Sequence, residues 1–162
     1  MRATTNRPER SQKILIVDDD EAVRDAVAMV LQAAGYCVYT AADGGQALEQ
    51  FQDDRMDLLM LDLGLPIKSG WEVFERIATE YPSVPIIVIT GLPNQQFTAL
   101  AAGASVLMEK PLDVVSLLRC IKDLLAEPAE KRVSRVQGQG RDFRRVPPAT
   151  WFAHSDPAGV PH

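Results

Sequence analysis

The sequence predicts an α/β domain, a doubly wound five-stranded parallel sheet built from (βα)5 units, over residues 12–126 of the 162. Three observations carry this. Short apolar runs alternate five times with stretches of helical periodicity, the pattern of repeated βα units. The connections are short, and right-handed crossovers then place helices on both faces of the sheet. Finally, Asp18-Asp19, Asp62 and Thr90 each directly follow an apolar run, and Lys110 comes just after another. In open parallel sheets, residues just past the strand C-termini converge on one crevice.

The elements follow in order. Lys13–Val17 reads as a strand. An amphipathic helix from about Glu21 to Ala34 comes next, with Val23, Val27, Val30 and Leu31 on one face and Gly35 as its stop. Cys37–Ala41 is the second strand, and Gln46–Gln52 a short helix with Ala47, Leu48 and Phe51 inward. Leu58–Leu61 is continuously apolar, as a central strand buried on both faces requires. Trp71–Tyr81 is a helix ended by Pro82, and Pro85–Ile89 the fourth strand. Asn94 is placed to cap a helix over Gln95–Ala102, which Gly103 would stop. Val106–Met108 is the fifth strand. Leu112–Leu125 is the last helix, with Val115, Leu118, Ile121, Leu124 and Leu125 at helical spacing. Met56, Met60, Met108 and Trp71 read as packing residues.

Composition sets further bounds. With 46% apolar and 24% charged residues, the chain is of globular type. No apolar run approaches the roughly 18 residues that span a bilayer, and the polar first ten residues lack the apolar core of a secretory signal. Cys37 and Cys120 are expected as buried thiols rather than a disulfide, and the expected location is the cytoplasm. Residues 12–125 carry 17 acidic and 8 basic side chains, while the flanks carry 9 basic and 5 acidic. An acidic body argues against nucleic-acid binding by the folded domain. Residues 1–11 read as a flexible N-terminus. Residues 127–162, rich in arginine, glycine and proline, read as a largely disordered tail in which His154 and His162 have no metal-ligand spacing.

Asp18, Asp19 and Asp62 with Thr90 and Lys110 would place three carboxylates, a hydroxyl and an ammonium in one cleft. Mg²⁺ prefers hard oxygen ligands and retains waters, so such a set suffices to bind it. A phosphoryl group adds nearly two negative charges, which the cation, Lys110 and Thr90 can absorb. Gly91 leaves the backbone beside Thr90 free to approach phosphoryl oxygens. Asp20 and Glu21 instead read as acidic residues favoured by the helix dipole.

Residues 13–125, about 70% of the chain, resemble the receiver domain of bacterial two-component response regulators. The matching segments are Ile14-Leu-Ile-Val-Asp-Asp-Asp-Glu-Ala-Val-Arg24, Leu61-Asp-Leu-Gly-Leu-Pro66 with Gly70, Ile86-Ile-Val-Ile-Thr-Gly91 and Glu109-Lys-Pro111. The resemblance implies a flavodoxin-like sheet with strand order 2-1-3-4-5. It implies Asp62 as phosphoacceptor, receiving phosphate from a histidine kinase or histidine phosphotransfer protein. Asp19 would bind Mg²⁺ directly and Asp18 through water, with Asp62 and the Gly64 carbonyl completing the set. Thr90 would hydrogen-bond the phosphoryl group, Lys110 would pair with carboxylate and phosphate, and Pro111 would follow a cis peptide. Such a domain catalyses only its own phosphorylation and dephosphorylation. Its output would be phosphate transfer or binding of a downstream protein. Homodimerisation, pathway and phosphoryl lifetime stay open.

Two features depart from that pattern. Leu107 stands where an aromatic ring usually swings inward on phosphorylation, and the stretch between Thr90 and Gly103 is short. Both fall on the face that ordinarily reads out phosphorylation. The tail segment Arg141–His154 mixes arginines, prolines and aromatics, leaving a recognition motif or docking on the domain's own output face as further readings. Two other functions compete with this reading. A haloacid-dehalogenase-like phosphatase would use Asp18-x-Asp20, but leaves Asp62 unexplained. A DNA-binding regulator would act through the tail, which offers no recognisable DNA-reading element.

Overall fold

The computed structural model describes residues 10–65, 70–91, 103–136 and 144–149. Strands β1 (Lys13–Val17), β2 (Cys37–Ala41), β3 (Leu58–Asp62), β4 (Ile86–Thr90), β5 (Val106–Glu109) and β6 (Arg144–Val146) form one sheet in the order β2-β1-β3-β4-β5-β6. Every neighbouring pair is parallel. The order 2-1-3-4-5 is as expected, but the sheet has six strands rather than five. The sixth comes from the segment expected to be tail. It pairs with β5 in the register Val106↔Arg144, Leu107↔Arg145 and Met108↔Val146, because β5 would otherwise leave its ladder groups open on one side.

The helices are α1 (Glu21–Ala33), α2 (Gly44–Asp53), α3 (Gly70–Glu80), α4 (Val114–Ala126) and α5 (Ala129–Val136). Each well-defined start has a physical cause. Asp20 caps α1 by accepting from the Val23 N–H, Asp43 caps α2 through the Gln46 N–H, and Asp113 caps α4 through the Ser116 N–H. At the end of α1, Gly35 adopts φ 96°. This lets the Tyr36 N–H reach the Leu31 carbonyl at 3.1 Å, a C-terminal closure that a side chain at Gly35 would strain. The helix expected over 95–102, with its cap Asn94, lies outside the described residues.

Strand alternation divides the interior into two layers. Leu15, Val17, Leu59, Leu61, Val88 and Leu107 face α2 and α3, packing with Ala47, Phe51, Val73, Phe74 and Ile77. Ile14, Ile16, Leu58, Met60, Ile87, Ile89, Val106 and Met108 face the other way, towards Leu31 of α1 and Leu117, Cys120, Ile121 and Leu124 of α4. Val146 of β6 joins this second layer. Met56, Met60 and Met108 are buried as expected, and Trp71 packs edge-on to Phe74 at 5.7 Å. Cys37 and Cys120 are free thiols; Cys120 is buried as expected, whereas Cys37 is only half-buried.

Two helix faces differ from expectation. In α4 the buried stripe is Leu117, Cys120, Ile121 and Leu124, an i, i+3, i+4, i+7 set, whereas Val115 is 65% exposed. In α1 only Leu31 is fully buried, and Val23, Val27 and Val30 are half-covered. The apolar stripe of α1 is wider than the surface packed against it. Beyond α4, Arg132 of α5 folds its guanidinium over the end of that helix. It donates to the carbonyls of Leu124 (2.8 Å), Leu125 (3.2 Å), Glu127 (2.7 Å) and Ser83 (3.2 Å). Orphan helix-end acceptors are satisfied in this way.

Candidate functional site

Because all the strands run in parallel, their C-terminal ends share one edge, where the polar residues gather. Asp18 follows β1 and is 1% exposed; its own N–H is held by the Ala41 carbonyl at 3.2 Å. Asp62 ends β3 and is 5% exposed. Thr90 ends β4, is 2% exposed, and its carbonyl accepts the Lys110 N–H at 2.9 Å. Lys110 follows β5, and the peptide joining it to Pro111 is cis.

The Lys110 ammonium lies between two buried carboxylates, 2.8 Å from Asp62 Oδ2 and 3.1 Å from Asp18 Oδ2. The contact to Asp62 is a hydrogen bond. That to Asp18 is an ion pair without hydrogen-bond alignment, so Asp18 Oδ2 is a buried acceptor lacking an aligned donor. Asp18 Oδ1 accepts from the Asp20 N–H at 2.9 Å, and Asp62 Oδ1 from the Gly64 N–H at 2.8 Å. Asp19 is exposed at the mouth of the crevice. One carboxylate oxygen from each of Asp18, Asp19 and Asp62 lies within 4.8 Å of the others.

Burial dominates the electrostatics. It pushes the Asp18 carboxyl above its ordinary value, and the nearby Asp62 charge acts in the same direction. The Asp20 N–H and Lys110 oppose this without cancelling it. For Lys110 burial acts downward, but the hydrogen bond to Asp62 and the charges of Asp62 and Asp18 together outweigh it, so its ammonium is held above the ordinary value.

This donor set suits a hard divalent cation: three carboxylates, one carrying a buried oxygen without an aligned donor, at an edge open to water. The expected residues Asp18, Asp19, Asp62 and Lys110 are thus brought together. Thr90 lies one residue beyond the pairing partner of Asp62, because Asp62 is in register with Ile89. Gly64 is tied to Asp62 through its N–H, and a Cβ added there would lie 3.3 Å from Asp62 Oδ1. Gly91 is exposed, with open space around the position of a Cβ. Leu107 is 1% exposed and packed in the α2/α3 layer.

A family model described as the response regulator receiver domain matches residues 14–122. The chain belongs to the response regulator receiver family. This receiver is 38% identical over 114 residues to response regulator RR06 of Streptococcus pneumoniae, covering 69% of this chain and 52% of that protein. It is likewise 38% identical over 117 residues to response regulator MprA of Mycobacterium ulcerans, covering 71% and 50%. The chain therefore spans about half the length of the curated relatives it matches. Among solved structures, a CheY-like receiver domain protein from Methanospirillum hungatei superposes with TM-score 0.71 at 34% identity, covering 75% of this chain and 98% of that one. The chemotaxis response regulator CheY4 of Vibrio cholerae gives TM-score 0.66 at 32% identity, covering 71% and 99%. These comparisons do not favour the phosphatase or the DNA-binding reading.

Two residues quoted within the matching segments, Arg24 and Gly70, support the site in ways that the sequence did not assign. Arg24 donates to the Asp18 carbonyl at 2.8 Å, fixing the turn between β1 and α1. Gly70 opens α3 so close to β3 that an added Cβ would lie 2.5 Å from Leu63 Cα and 2.6 Å from the Asp62 carbonyl oxygen. A glycine at a helix start was the signal available for the second. The first has no signal beyond position, six residues after Asp18.

Proposed function

We propose that this receiver accepts a phosphoryl group on Asp62 from a phosphohistidine of a sensor kinase or histidine phosphotransfer protein. The observation that carries the reading is the Lys110 ammonium bridging Asp62 and Asp18 at 2.8 and 3.1 Å. An Asp62 carboxylate oxygen attacks phosphorus, the phosphorus–nitrogen bond breaks, and its electron pair stays on the departing imidazole. The product is an aspartyl phosphate, later hydrolysed by water.

Asp18, Asp19, Asp62 and the Gly64 carbonyl would hold Mg²⁺, which when bound neutralises the charge gathered on the phosphoryl oxygens. Lys110 starts on the two carboxylates and follows the charge onto the phosphate. The Thr90 hydroxyl hydrogen-bonds a phosphoryl oxygen, and Gly91 keeps the adjoining backbone free of a side chain. No aromatic ring stands at Leu107 to swing inward, so the readout does not run through that ring. The domain turns over only its own phosphate. Its output is binding of a downstream protein or onward phosphate transfer, in the cytoplasm.

Intact mass after incubation with acetyl phosphate and Mg²⁺ tests this reading. A single phosphoryl adduct is expected for the wild type, and none for Asp62→Asn or in chelator. A folded wild-type protein that gains no adduct from acetyl phosphate or from a phosphorylated histidine kinase overturns it. An adduct that persists in Asp62→Asn moves the acceptor elsewhere.

A further inference from the structure

Beside the phosphorylation crevice, between α1 and α4, lies an apolar groove of about 450 Å³, within the roughly 300–1,000 Å³ of ligand pockets. Val23 and Val27 of α1 form one wall, and Leu112, Val114 and Leu117 the other. Pro111 and the stem of Lys110 close the end nearest the crevice. This is the half-covered stripe of α1 noted above. Val114 is 43% exposed despite facing other apolar side chains, so the groove is a surface lacking an occupant among the described residues.

The C-terminal segment arrives at this groove. Strand β6 fixes residues 144–146 against β5, and the Arg145 guanidinium holds Glu109 at 2.7 Å. The Ala149 N–H then donates to the carbonyl of Pro111 at 2.7 Å. Pro111 itself lines the groove. Trp151 and Phe152, two adjacent large aromatic residues, follow Ala149 by two and three positions, and two residues span up to about 7 Å.

We propose that Trp151-Phe152 is the occupant: the chain's own C-terminus docks its aromatic pair in the α1/α4 groove. Aromatic side chains gain the most from such a surface. The anchor at Ala149 makes docking intramolecular, with an effective concentration on the order of millimolar. At that concentration a segment of only millimolar intrinsic affinity is docked about half of the time. Receiver structures similar to this one are covered almost end to end by 71–75% of this chain, and the family match ends at residue 122, so anchor and aromatic pair both belong to sequence beyond the shared domain. The inference does not depend on Asp62 chemistry.

The test uses the full chain carrying Trp71→Phe, which leaves Trp151 as the sole tryptophan. Expected are blue-shifted emission and several-fold slower acrylamide quenching than in the urea-unfolded chain, independent of protein concentration. Val114→Glu and Val27→Glu, each introduced separately, charge the groove while the tail is unaltered. Either should red-shift Trp151 and restore quenching, with the circular dichroism of the fold retained. Val114→Glu places an acid at a helix N-terminus, where it is tolerated. Quenching equal to that of the unfolded chain overturns the proposal, as does protection that survives both groove variants. Protection lost on dilution also overturns it and assigns the groove to a second copy.

Discussion

Replacing Asp18 by asparagine removes one charge from the crevice and keeps its shape. Three contributions decide the sign. The attraction to Lys110 at 3.1 Å is lost, about 5 kcal/mol at an effective dielectric of 20. Repulsion from Asp62, with carboxylate oxygens within 4.8 Å, is relieved, about 3.5 kcal/mol or more on the same scale. The cost of holding a nearly fully buried carboxylate away from water, several kcal/mol, is relieved as well. Relief exceeds loss, in agreement with the upward displacement of the Asp18 pKa by burial. In chelator, Asp18→Asn should therefore be more stable than the wild type by about 1 kcal/mol, the excess of those contributions scaled for a site at the sheet edge. Mg²⁺ should reverse the ranking. At ten times its dissociation constant a ligand adds about 1.4 kcal/mol to the protein that binds it, and the variant, short of one carboxylate, should gain little. Urea unfolding of both proteins in chelator and in Mg²⁺, at constant m-value, reads all four stabilities. A variant less stable than wild type in chelator, or one keeping the full Mg²⁺ gain, would refute the reasoning.

Gly70→Ala sets a Cβ against backbone atoms of Leu63 and Asp62 that cannot rotate away. It should cost about 2 kcal/mol, in the range of forced overpacking, and slow acetyl-phosphate labelling of Asp62, read by intact mass. Arg132→Met removes the donors that satisfy the α4 carbonyls and should cost about 2 kcal/mol, as for hydrogen bonds from a charged group, measured as a lowered urea midpoint. At the opposite end of the sheet, Lys13 and the Tyr39 hydroxyl hold the Asp54 carboxyl below its ordinary value of 3.8. A depressed folded pKa gives stability that is complete above the unfolded value and lost as pH falls through the folded one. Asp54→Asn should thus lower the urea midpoint slightly at neutral pH, with the difference closing in acid below about pH 4.

What the sequence disclosed and what it withheld separate along physical lines. Leu58–Leu61 announced itself because both its faces are buried and nothing polar interrupts it. The crevice was legible because parallel topology alone brings the residues after β1, β3, β4 and β5 together. By contrast, Arg144-Arg145-Val146 carries no strand signature; its pairing is supplied by the open side of β5, some 35 residues earlier. The face of α4 was displaced because Leu117 and Cys120 compete with Val115 and Leu118 for the same helical periodicity, and only the packed sheet decides between them. Asp18 and Asp19 are chemically identical neighbours, yet one is buried and the other exposed. That follows from where β1 stops, a detail below the resolution of pattern.

The sixth strand has a consequence for solubility. A parallel sheet ending at β5 would expose the ladder groups of Val106–Glu109, flanked by apolar side chains, as a template for a strand of any neighbouring molecule. Three residues of β6 cover that edge, the exposed Arg145 side chain puts charge along it, and Pro147-Pro148 follow directly. Proline has no N–H to offer a further ladder. A chain ending before residue 144 would keep the residues of its crevice and present the β5 edge uncovered.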